Sequence, residues 1–143
     1  MSTGVNAFDT TLQKTISLLN DVCQEFGWPE ERRHQAYSAL RAVLHPVRDR
    51  LPVTEAANFA AQLTMLVRGL YYEGWKPERA PKKMHRKEFL DAVQSEFGLS
   101  VDGGAVRLVN GVLHALGSHI DSRTLEDIKQ ELPEDIADLV PRV

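Results

Sequence analysis

The sequence predicts an all-α protein: a tandem duplication of a three-to-four-helix unit, packed as one compact pseudo-twofold helical bundle. Three observations carry that prediction. Apolar residues recur every three or four positions along nearly the whole chain. No stretch shows the strict alternation of a half-buried strand. The apolar pattern of the first half returns in the second at an offset of 69 residues.

The elements follow in order. Phe8, Leu12, Ile16, Leu19, Cys23 and Phe26 mark the first helix, and Gly27 ends it. Pro29, Glu30 and Glu31 open the second, with proline in the first turn and acids at the positive end of the helix dipole. Tyr37, Leu40, Leu44, Val47 and Leu51 form its apolar face, and Pro46 within it predicts a kink. Pro52 ends this helix, and Thr54 is expected to cap the third. Ala56, Phe59, Leu63, Leu66 and Leu70 continue the pattern to Gly74. Residues 74–84 read as a loop, from one glycine and two prolines.

The second half repeats this plan. Residues 43–51, VLHPVRDRL, align with residues 112–120, VLHALGSHI. At the same offset Phe59 meets Ile128, Leu63 meets Leu132, Val67 meets Ile136 and Leu70 meets Leu139. Upstream, the segment from Asp21 to Gly27 matches that from Asp91 to Gly98 with Ser95 inserted. Pro133, Glu134 and Asp135 form a strong helix start. The third element of each half is therefore read as two short helices or one kinked helix. The expected division is a first repeat over 1–75, a basic linker over 76–84 and a second repeat over 85–143, in one compact domain.

Composition sets the outer bounds. The 143 residues are 43% apolar and 26% charged, with a net charge of −3. Such a chain is neither disordered, nor a coiled-coil rod, nor collagen-like. One cysteine allows no intrachain disulfide and no cysteine metal cage, which points to a reducing, cytoplasmic setting. The N-terminal residues lack the basic and apolar regions of a signal peptide, and Ser2 stands where myristoylation needs glycine. No apolar run reaches the ~20 residues that span a bilayer, so no membrane role is expected.

The runs Ala39–His45 and Arg48–Pro52, then Glu55-Ala56, Ala61–Leu63 and Arg68–Trp75, resemble the bacterial domain-of-unknown-function family numbered 2267. Glu88–Leu90 and Gln130–Pro133 are similar to it too. The resemblance covers roughly residues 8–140, and Ala61 to Trp75 is its most specific part. Thr64 stands where the pattern often has proline. The resemblance implies a small, helical, duplicated protein. It brings no activity and no catalytic residues.

The candidate chemistry is sparse. His45 and His114 occupy equivalent repeat positions and could meet between the repeats, where imidazole would serve as a metal ligand. The preferred reading is a half-buried histidine beside the apolar stripe, inherited by duplication. Cys23 lies on the stripe of Ile16, Leu19 and Phe26, so it reads as core rather than nucleophile. Residues 76–87 hold six bases against Glu78 alone, a net +5, next to Tyr71, Tyr72 and Trp75. Lys82, Lys83, Arg86 and Lys87 are thus candidates for binding an anion or nucleic acid. The last 24 residues carry seven acids and three bases, and the linker could equally face that tail. Arg41, His45 and Arg48 mark a second basic helix face, read as a solvated one. Tyr71, Tyr72 and Trp75 suit an interface hot spot or, preferably, packing between the halves. No phosphate loop exists around Gly103-Gly104.

The leading expectation is a non-enzymatic interaction or adaptor module with a protein partner, self-association included, and no cofactor. Anion or nucleic-acid binding through the linker comes second. A small ligand or metal between the repeats, near His45 and His114, comes third.

Overall fold

The computed structural model describes residues 2–142, and the outer limits drawn above at residues 1 and 143 lie outside them. Among the described residues there are eight α-helices and no strand. They are α1 (Asn6–Phe26), α2 (Arg33–Arg50), α3 (Val53–Ala61), α4 (Met65–Tyr72), α5 (Arg86–Phe97), α6 (Gly104–Gly117), α7 (Thr124–Glu131) and α8 (Glu134–Ala137). None of them is long and apolar enough to cross a membrane.

The stop signals act locally. Gly27 adopts a left-handed φ of 70°, which lets the Trp28 N–H turn back to the Cys23 carbonyl at 2.8 Å. Gly98 ends α5 the same way, at φ 76°. Two start signals differ from expectation. Glu30–Arg32 wind a separate 3₁₀ turn, and α2 opens only at Arg33. Pro52, not Thr54, holds the position before α3, because its extended ψ of 154° sets the chain entry. Pro46 sits within α2, whose span runs unbroken from Arg33 to Arg50. The third element is divided in both halves, into α3 and α4 and into α7 and α8.

Helices α1, α2, α5 and α6 form the centre. Helix α2 packs on α1, α4, α5 and α6, while α6 packs on α1, α2 and α5. Helix α3 lies against α7, and α8 against α5. One continuous core draws on both halves, with Leu40, Leu44, Leu108 and Leu113 fully buried. Gly111 makes the α1–α6 approach possible. A β-carbon there would lie 2.5 Å from the Phe26 ring. With the hydrogen in its place, Arg107 sits 4.8 Å above that ring.

Helix α4 has eight residues, too short to be stable alone. No side chain of its own caps its start. Thr11 of α1 does so, its hydroxyl accepting the Leu66 N–H at 3.1 Å. At the other end α2 supplies the donors. The His45 Nε2 donates to the Leu70 carbonyl at 2.6 Å, and Arg48 donates to the Tyr71 and Glu73 carbonyls at 2.8 Å each. Helix α4 in turn caps α3, through Arg68 on the Ala60 and Leu63 carbonyls at 3.0 and 2.8 Å. These bonds satisfy carbonyls that a helix end leaves open.

Tyr71 is fully buried, with its ring edge-on to Phe59 and its hydroxyl donating to the Ala56 carbonyl at 2.7 Å. Tyr71→Phe keeps the ring and removes one buried hydrogen bond. The expected loss is about 1 kcal/mol, read from the urea midpoint.

Candidate functional site

Helices α1, α2 and α4 leave an open apolar groove of about 670 Å³. Leu12, Leu19 and Leu70 line its depth, and Ile16, Tyr37 and Leu66 stand exposed beside them at 36%, 39% and 44%. Phe8 and Met65, also exposed, continue the stripe toward the start of α1 and α4. All of these residues except Met65 come from stripes that the sequence assigned to core faces.

Gly69 lies on this groove, inside α4. Its backbone is helical, and a β-carbon built there would meet nothing within 4 Å. Neither a turn nor a close internal contact calls for glycine, in contrast to Gly111. Glycine inside a helix costs roughly 0.5–1 kcal/mol relative to alanine. The cost keeps that part of the groove low.

The rim is charged. Glu73 is engaged by Arg41. Arg33 and His34 also line the groove, and among the described residues neither lies within ion-pair distance of a carboxylate. Both occupy the first turn of α2, where the helix dipole disfavours positive charge.

The second cleft, about 760 Å³, runs along the α1–α6 seam. Here Glu25 pairs with His114 at 2.5 Å and with Arg107 at 2.8 Å, and Asp21 pairs with His119 at 2.6 Å. Partial burial pushes the Glu25 carboxyl up, but hydrogen bonds from His114 and Arg107 outweigh it and hold the group below its ordinary value.

His45 and His114 do not share a site. His45 is buried, at 7% exposure, between Glu96 of α5 at 2.8 Å and the Leu70 carbonyl. Both partners accept, so both bonds form together only when each ring nitrogen carries a hydrogen. His114 is exposed and belongs to Glu25. Among the described residues no group of three or more histidine, cysteine, aspartate or glutamate side chains is placed to hold a metal ion. The expected basic face of Arg41, His45 and Arg48 is not a solvated one. Arg48 is 4% exposed and His45 is buried beside it, because both cap α4. A legible hint was their spacing of three, squarely beside Leu44 and Val47.

The linker is partly neutralised. Arg86 engages Asp138 at 2.6 Å and the Asp135 carbonyl at 3.0 Å, and its backbone N–H donates to the Asp135 carboxylate. It therefore faces the acidic tail. Lys87 pairs with Asp91 at 2.8 Å. Lys82 and Lys83 are exposed, and Lys82 edges a smaller pocket of about 240 Å³ with Asp49, Trp75 and Arg79. Of the three candidate interface aromatics, Tyr71 is corrected to a core residue by its complete burial. Tyr72 and Trp75 reach the surface in part, Tyr72 meeting Tyr71 edge-on and lying tilted against Trp75, with ring centroids 5.3 Å apart in each pair. Cys23 is buried, and burial raises its thiol pKa.

Fold and groove together define an all-helical bundle protein with one open apolar face. The chain matches, over residues 15–139, the model of a family described as an uncharacterized conserved protein, DUF2267. It belongs to that family. No curated protein matches it.

Two variants check these environments. Gly69→Ala is expected to raise stability by roughly 0.5–1 kcal/mol in a denaturant melt, since nothing opposes the methyl. A depressed carboxylate stabilises the fold above its unfolded pKa and loses that contribution as pH falls through the folded value. The margin of the native chain over Glu25→Gln is therefore full above about pH 4.5 and shrinks on further acidification, as thermal melts across that range will read.

Proposed function

We propose that the protein is a non-enzymatic interaction module that docks a partner in the α1–α2–α4 groove. The observation that carries this reading is the groove itself: an apolar stripe left open, with Gly69 set in it at a cost to its own helix. Contiguous exposed apolar surface of this kind suits a partner helix better than a polar substrate. The linker and inter-repeat readings have weaker support, because Arg86, Lys87, His45 and His114 all have internal partners.

The proposed frame is the duplicated one: units over 1–75 and 85–143, joined by 76–84 and related by a pseudo-twofold axis. Burial supports it. Leu40 and Val109, Leu44 and Leu113, Phe59 and Ile128, and Val67 and Ile136 are each buried as a pair, while Tyr37 and Val106 are both exposed. The helix contacts also interchange: α1 packs on α6 as α5 does on α2. A third support is the exchange of partners. His45 of one unit takes Glu96 of the other, and His114 takes Glu25 in return.

The docking reading is tested by a photo-reactive residue placed at position 16 in the producing cell. A single adduct with another polypeptide is expected, lost when Leu66→Glu is added. A probe at position 106, exposed on the second unit, should give none. No adduct from position 16, or equal adducts from both positions, would overturn the reading.

A further inference from the structure

The groove carries information about what fills it. We infer that its occupant is an amphipathic helix of about three turns, from another protein, with carboxylates clustered at one end. The inference rests on the docking reading above and adds the partner's chemistry to it.

Three observations point the same way. The first is length. From Phe8 to Leu19 the stripe on α1 covers about 17 Å at 1.5 Å per residue, or three helical turns. The second is the floor. Gly69 offers no side chain, so a partner backbone can approach α4 closely there. The third is charge. Among the described residues the one acid that lines the groove, Glu73, is taken by Arg41, and neither Arg33 nor His34 at one end has a carboxylate within ion-pair distance. Those two bases sit where the dipole of α2 already works against them. An incoming carboxylate would relieve that repulsion and fix the direction of the bound helix.

The other unit treats the equivalent surface differently. At the positions that match Leu66 and Gly69 it has Asp135 and Asp138. Arg86 crosses to them, with its backbone N–H on the Asp135 carboxylate and its guanidinium on Asp138. On that face the matching positions carry charge and are engaged internally. The first unit keeps bare apolar side chains and unanswered bases.

The test uses the full chain and two labelled synthetic peptides of about 16 residues. They share one leucine stripe at helical spacing. One carries glutamates in its first turn, the other lysines. In fluorescence anisotropy at low salt the glutamate peptide is expected to bind about tenfold more tightly or better. Arg33→Glu should abolish or reverse the preference. Gly69→Leu should weaken both peptides about tenfold with its circular dichroism unchanged, since the site is open and leucine suits a helix. Equal affinity for the two peptides would overturn the inference and leave docking itself standing. Binding of neither peptide would overturn it too, and the adduct from position 16 would then decide whether the docking reading falls with it. A micromolar dimer that Ile16→Glu dissolves would also overturn it, by showing that a second copy fills the groove.

Discussion

Three donors from α2, the His45 ring and two N–H groups of Arg48, hold the C-terminal carbonyls of α4. Most of the first unit's geometry depends on this grip. An eight-residue helix has too few internal bonds to persist by itself. Its first turn is secured by Thr11 of α1, and through Arg68 it secures the end of α3. Four helices are thus linked end to side by hydrogen bonds. The groove exists because α4 is held in that one position beside α1 and α2.

The union of the two units follows a different rule. Apolar burial is continuous across the centre, and polar pairs lie around its margin. His45–Glu96 closes the α2–α5 contact, while His114–Glu25 and His119–Asp21 close the seam between α1 and the end of α6. Only the first of these pairs is buried on its histidine side. The same duplicated histidine thus became a cap in one unit and a surface latch in the other. What differs is the neighbour: Leu70 offers its carbonyl to His45, whereas the matching Leu139 carbonyl is reached by Asn110 at 3.3 Å.

Helical spacing made the fold class readable, and glycine and proline placed most breaks. Gly27, Gly98 and Pro133 act through local backbone preference, so one short segment contains all the information. The groove was not readable in that way. Ile16, Tyr37 and Leu66 fit the apolar stripes as well as any core residue, and exposure depends on which helix arrives opposite them. The basic face drawn through His45 and Arg48 differs from expectation for the same reason, although the single reading of His45 as a histidine beside the apolar stripe agrees with its burial. Their charge suggested solvent, but their role was set by the carbonyls of a helix more than twenty residues further along. The facing of Arg86 toward the acidic tail was legible from charge balance alone.

Cys23 has a consequence of its own. It is the chain's single thiol, it is 1% exposed, and it lies in the last turn of α1. Reagents and oxidants meet it only when the structure opens locally, so its chemical lifetime is scaled by the free energy of that opening as well as by thiol reactivity. The molecule therefore carries an internal clock for its own breathing. Anything that clamps α1 in place, a bound partner included, would slow that clock.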